Sequence, residues 1–399
     1  MSRTRHRTAI AAAVLTVTLT ATLVTPAVAR AQAGRGAADR AAGQIVSASR
    51  VTDYLLPGVP FAAAAWRITY RSTSATGTAI VDSGTVLVPT TPYAGQRPLV
   101  GFAPGSQGLA DKCAASAALQ SGTEYEAANI AQLLSHGWAV AVPDYPGLGT
   151  PGDHTYAIGR ALGPSLLDVM RAARNLAPAG IPAHGPAGIM GYSEGGGAAG
   201  WAVQLQPSYA PDLPLVGGAV GGVIANLQRI AHSLDGGPFS FLIPYTAIGM
   251  QAAYPSLHLR RYLTAQGRTD VRKLEGSCLE DASLDYLPFT KSRSITTRNL
   301  FTLPAIERIM RLNHLGGSAP AAPILLQQSP ADEVLPYPQA VELYHRWCAR
   351  GARVEFRAIA APDHITGGFV SDPAAVTWLA DRFAGRPLGA ECAGVGLTP

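Results

Sequence analysis

The sequence predicts an α/β protein with a mostly parallel central sheet, helices on both faces and an inserted, mostly helical cap. Three observations carry this. Short apolar runs alternate with helical patterns along most of the chain. Several of those runs are apolar throughout, as strands covered on both faces are. The alternation lapses from about Asn226 to Ser318 and then resumes.

The elements follow in order. Arg3, Arg5 and Arg7 precede an apolar stretch from Ala9 to Val24, and small residues follow as Ala27-Val28-Ala29, Ala29-Arg30-Ala31 and Ala31-Gln32-Ala33. This reads as a secretory signal peptide over residues 1–33, so the mature chain is expected outside the cell. Residues 34–60 are a mixed, extended lead-in. Ala62 to Tyr70 and Ala79 to Val88 are β-type runs, the second closed by Pro89, and predict an antiparallel opening. The strand Leu99 to Ala103 runs into a glycine-rich loop. A helix over Glu124 to His136 sets Ala128, Ile130, Leu133 and Leu134 on one face. Strand Trp138 to Val142, a helix over Ser165 to Leu176 and strand Ala187 to Met190 continue the alternation, and Leu215 to Ile224 is a strand rich in glycine. Residues 34–225 thus form the first part of the core. Residues 226–318, helical and aromatic with Phe239, Phe241, Tyr245 and Tyr254, form the cap. Residues 319–399 complete the core with strand Pro323 to Gln327, helix Pro338 to Cys348, strand Val354 to Ala360 and a last helix over Ala374 to Phe383.

Composition narrows the function. The chain of 399 residues is 47% hydrophobic and 14% charged, which is globular. Its net charge of +5 resides partly in the leader, and the remaining arginines are scattered. A nucleic-acid partner is therefore not expected. Four cysteines, Cys113, Cys278, Cys348 and Cys392, suit two disulfides in an oxidising compartment, and spacing alone does not choose among the three pairings. No Cys/His cluster has metal-ligand spacing, so neither metal nor cofactor is expected.

The chemistry centres on Gly191-Tyr192-Ser193-Glu194-Gly195, a G-x-S-x-G flanked by a strand and a Gly/Ala-rich helix. That context marks the nucleophile elbow of the α/β-hydrolase fold, where chain order is nucleophile, acid, histidine. Asp332 follows strand Pro323 to Gln327 and His364 follows strand Val354 to Ala360, so all three stand at strand C-termini. Glu333 is a weaker candidate acid, and Asp363 adjoins the histidine too closely to orient its ring. His345 falls within a helix, His136 and His314 near helix ends, and His154 and His232 near the cleft. A tetrahedral oxyanion needs two N–H donors. The amide of Glu194 is one candidate, and Gly105 or Ser106 in the loop after Ala103 is the other.

These residues resemble the secretory lipase family. The similarity rests on Ala103-Pro104-Gly105-Ser106-Gln107-Gly108 before Cys113, Asp144-Tyr145-Pro146-Gly147-Leu148-Gly149, Gly191 to Gly196, Tyr209-Ala210-Pro211-Asp212-Leu213 and the Asp332/His364 ending. It implies triacylglycerol lipase or carboxylesterase activity on a lipid or small ester, with transient contact at a lipid interface and a cap shielding an acyl tunnel. It also implies the pairings Cys113–Cys278 and Cys348–Cys392. Pro146 departs from the acidic residue of the family's pattern, and Ser106 from its threonine. Other readings are an α/β-hydrolase peptidase using Glu194 or Glu280 to hold an amine, a cell-envelope acyltransferase, and a non-enzymatic binding protein on a hydrolase scaffold.

Overall fold

The computed structural model describes residues 42–285, 291–389 and 391–393, so the candidate leader at 1–33 lies outside the described residues. The strands in chain order are β1 (Ile45–Val51), β2 (Tyr54–Leu56), β3 (Val59–Pro60), β4 (Ala63–Thr73), β5 (Ala79–Pro89), β6 (Leu99–Ala103), β7 (Ala139–Pro143), β8 (Ala187–Tyr192), β9 (Leu215–Gly221), β10 (Ile324–Gln328) and β11 (Val354–Ala358). Nine of them form one sheet in the order β1-β4-β5-β7-β6-β8-β9-β10-β11, and β2 and β3 pair separately. The run from β7 to β11 is parallel, whereas β1, β4, β5 and β7 pair antiparallel. The sheet is therefore mixed and mostly parallel, with the antiparallel opening at one edge. Strands β6, β7, β8 and β10 are buried along their whole length, the mark of a sheet covered on both sides.

Helices α1 (Ala115–Ser121), α2 (Ala127–Ser135), α3 (Gly159–Asn175) and α4 (Glu194–Tyr209) lie in the first part of the core. Between β9 and β10 come α5 (Leu227–Leu234), α6 (Leu242–Ala253), α7 (Ala265–Glu275), α8 (Leu279–Asp285), α9 (Ser292–Ile295) and α10 (Pro304–Leu312). The chain ends with α11 (Tyr337–Cys348) and α12 (His364–Phe383). On one face α3, α4 and α11 bury Leu166, Met170, Val203 and Trp347. On the other, α1, α2 and α12 bury Leu119, Ile130, Trp378 and Leu379. A third apolar cluster joins Tyr245, Leu274 and Ile306 of the 227–310 helices to Ile224 and Leu335, which follow β9 and β10. That segment thus packs over the strand C-termini.

The structure differs from the sequence reading at several edges. The lead-in contains an edge strand, β1, whose alternation is masked because most of its residues are exposed. Helix α3 starts at Gly159, running through Pro164 rather than beginning after it. Strand β9 keeps its place despite its glycines, because a Cβ at Gly217 would stand 2.7 Å from the Trp378 ring. The last helix starts at His364, ten residues before the expected Ala374. Asp363 caps it by accepting the Thr366 N–H at 2.7 Å, and the helix then passes through Gly367, Gly368 and Pro373, which its sequence argues against. The disulfides are Cys113–Cys278 and Cys348–Cys392, the pairing the family resemblance implies.

Candidate active site

Strand β8 hands over to α4 at a single residue, Ser193, whose φ of 60° and ψ of −121° hold it in a strained turn. The surroundings enforce that turn. A Cβ at Gly195 would fall 2.0 Å from the Ala103 carbonyl oxygen, so only glycine lets α4 start this close to β6. The Ser193 N–H donates to Gly221 O at 3.2 Å, and its carbonyl accepts from Gly197 N at 2.9 Å. The hydroxyl is left facing outward from the sheet edge.

Asp332 and His364 meet it there. His364 Nε2 lies 2.9 Å from Ser193 Oγ, and His364 Nδ1 lies 2.8 Å from Asp332 Oδ2. The Asp332 carboxylate is fully engaged. Oδ2 also accepts Gln328 Nε2 at 2.8 Å, while Oδ1 accepts the Val334 and Leu335 amides at 3.0 and 2.7 Å. Such bonds fix the carboxylate, which fixes the ring. The His364 backbone is held as well: its N–H donates to Glu333 Oε2 at 2.9 Å, and its carbonyl accepts Tyr192 Oη at 2.7 Å. Glu333 and Asp363 therefore serve the backbone of this helix start, and only Asp332 faces the ring.

The loop after β6 approaches the same point. Gly105 is corrected as a candidate oxyanion donor, because its N–H already donates to Glu126 Oε2 at 2.7 Å. Among the described residues, the amides of Ser106 and Glu194 find no protein acceptor. The Glu194 side chain turns away beneath the elbow, where Oε1 meets His154 Nε2 at 3.1 Å and the Ala157 N–H at 3.2 Å. It is wholly buried there, so it is not placed to receive a substrate amine. Glu280 does border the cleft. His232 is exposed on α5 against Phe301.

Ser193 and His364 open on a cavity of about 330 Å³. One side is apolar, with Phe239, Phe241 and Leu242 from the 226–318 segment, and another carries Glu126, Asn129 and Asp372. Asn129 Nδ2 donates to Asp372 Oδ2 at 2.6 Å. Burial pushes the Asp372 carboxyl up to about 7. Burial, then Glu124 and Asp372, push Glu126 well above the carboxylate range. These polar groups escaped the sequence reading for a physical reason. Acidic residues favour a helix N-terminus, so Glu124-Tyr125-Glu126 read as the first turn of a helix. The structure starts α2 only at Ala127, and the three side chains turn to the neighbouring loop instead. Among the described residues no three His, Cys, Asp or Glu side chains stand close enough to hold a metal ion.

The mixed sheet, the strained serine between strand and helix and the hydrogen-bonded Ser193, His364 and Asp332 define an α/β-hydrolase. Comparison with known proteins narrows this: the secretory lipase family model matches residues 113–391, and the chain belongs to that family. It is 32% identical to Lipase 10 of Candida albicans over 286 residues, which is 68% of this chain and only 60% of that relative's length. It is 28% identical to the Probable inactive lipase MT1628 of Mycobacterium tuberculosis over 348 residues, 83% of this chain and 76% of that protein. Secreted triacylglycerol lipase LIP5 of Malassezia furfur is 30% identical over 323 residues, 76% of this chain and 83% of that relative. Candida antarctica lipase A in its closed state shares the fold with a TM-score of 0.80 at 24% identity, covering 89% of this chain and 85% of that one.

Proposed function

We propose that this chain is a secreted serine hydrolase of carboxylic esters, with triacylglycerol and other apolar esters as its substrates. The observation that carries the reading is the unbroken relay from Ser193 Oγ through His364 to Asp332. In this reading His364 carries its proton on Nδ1, donated to Asp332, and Nε2 accepts the Ser193 hydroxyl. Oγ attacks the ester carbonyl carbon as its proton passes to Nε2, and the carbonyl oxygen becomes an oxyanion facing the Glu194 and Ser106 amides. Collapse breaks the bond to the alcohol, which leaves with the proton from Nε2. Water then repeats the sequence on the acyl-enzyme, releasing the acid and restoring Ser193.

The apolar Phe239, Phe241 and Leu242 wall suits an acyl chain, and segment 226–318 serves as the cap that carries it. At the mouth, Phe369 and Ile365 on α12 are 73% and 60% exposed, and Val370 next to Phe369 is 45% exposed, an apolar rim suited to brief contact with a lipid surface. Secretion is supported by the leader pattern, the two disulfides and the secreted relatives.

The test is hydrolysis of p-nitrophenyl esters from short to long acyl chains by wild type and Ser193→Ala. Turnover by wild type and none by a folded variant is expected, with the chain-length profile separating lipase from esterase. Failure of folded, disulfide-bonded wild type to cleave any of them would remove the reading and align this chain with its relative named as inactive.

A further inference from the structure

The loop that runs past the nucleophile, Pro104 to Gln107, has no regular secondary structure, yet every residue in it is tied down. Tyr145 Oη donates to Pro104 O at 2.9 Å. Glu126 Oε2 accepts the Gly105 N–H at 2.7 Å. Tyr125 Oη donates to Ser106 O at 3.2 Å. Glu124 Oε1 accepts Gln107 Nε2 at 2.9 Å. Three consecutive side chains, 126, 125 and 124, therefore grip three consecutive loop residues, 105, 106 and 107, in antiparallel order. From the other side Leu279 N donates to Gln107 O at 3.0 Å and Leu109 N to Ser277 O at 3.0 Å. The fit is close: a Cβ on Gly105 would lie 2.4 Å from Tyr125 Oη.

What this grip leaves free is informative. Among the described residues the Ser106 and Gln107 amides of this loop find no protein acceptor, and of the two only Ser106 lines the cavity that holds Ser193. We propose that Glu124, Tyr125 and Glu126 form a clamp that sets the Ser106 N–H as the second oxyanion donor, with Tyr125 and Glu126 as positioning residues for the transition state. The proposal rests on the reading of Ser193 as nucleophile. Its physical basis is that a donor aimed at developing charge works only if it is held before the reaction, and a displacement of about 1 Å weakens catalysis by roughly 10²-fold. Glu126 acts by accepting Gly105 N–H, which an amide oxygen does equally well. Tyr125 acts through one hydroxyl on a half-exposed ring, so its removal leaves the fold intact.

The experiment uses the full disulfide-bonded chain, a soluble short-chain ester, and an alkyl boronic acid that forms a reversible tetrahedral adduct on the serine. Glu126→Ala should lower kcat roughly 30-fold to 100-fold with KM within threefold, and weaken boronate binding by at least tenfold. Glu126→Gln should recover most of both. Tyr125→Phe, the variant least able to disturb folding, should lower kcat and boronate affinity together by about threefold to tenfold. The clamp is overturned if Tyr125→Phe is silent and Glu126→Gln is as impaired as Glu126→Ala. It is also overturned if kcat falls with boronate affinity unchanged, since that is a general loss of structure. If wild type is labelled at Ser193 by a phosphonate and the variants match it, only the clamp falls. If wild type is not labelled, the nucleophile reading falls and takes the clamp with it.

Discussion

Asp82 offers a stringent test of how this core is held together. It sits on β5 beneath α3, fully buried, and neither carboxylate oxygen has a hydrogen-bond partner among the described residues. Burial raises its carboxyl from 3.8 to about 7, and the nearby Asp168 and Asp144 charges add to the rise. The native state therefore holds this proton more tightly than the unfolded chain does. Stability is greatest below about pH 4 for this group and is lost as pH rises through the window from 3.8 to about 7. At about 1.4 kcal/mol per pH unit, the two units between pH 5 and pH 7 remove about 3 kcal/mol. Asp82→Asn keeps the shape and cannot ionise. Urea unfolding of both proteins should therefore show the variant gaining about 3 kcal/mol relative to wild type at pH 8 over its effect at pH 5. An equal effect at the two pH values, or a variant weaker than wild type at pH 8 alone, would refute the reasoning.

Two further outcomes follow from the geometry. Replacing Cys113 and Cys278 by Ser opens a closure of 165 residues, and replacing Cys348 and Cys392 opens one of 44, so each should cost roughly 4–5 kcal/mol of stability. Only the first releases the 277–279 segment from the Gln107 loop, so kcat under native conditions should fall in that variant and not in the second; equal kcat losses would contradict this. Val370→Asp should leave soluble short-ester turnover unchanged and lower turnover on emulsified triacylglycerol about tenfold, the effect of withdrawing about 1.4 kcal/mol of apolar contact; equal losses on both substrates would contradict a lipid-facing rim.

That Ser193, Asp332 and His364 come together was legible in the sequence because each follows a strand of the parallel sheet, and strand ends are recognisable from apolar runs closed by glycine or a turn. Ser193, Asp332 and His364 inherit their common edge from that topology. What surrounds them was less legible. His364 reads as a loop residue because Gly367, Gly368 and Pro373 argue against a helix, whereas Asp363 and Glu333 secure its first turn from outside. Glu124 to Glu126 carry a helix-start pattern that the structure spends on tertiary contacts with residues about twenty positions earlier. Asp82 alternates within a strand like any solvent-facing carboxylate, and only the helix laid across it makes it buried. In each case the deciding interaction is distant in sequence.

The central claim is that Ser193 is the nucleophile of an ester hydrolase, and reaction with an alkyl p-nitrophenyl phosphonate tests it most directly. The account predicts one adduct per chain, located by mass spectrometry on the peptide bearing Ser193, with loss of ester turnover in proportion to labelling and no adduct in Ser193→Ala. A folded, disulfide-bonded protein that takes no label there, or that keeps its turnover once labelled, would contradict it.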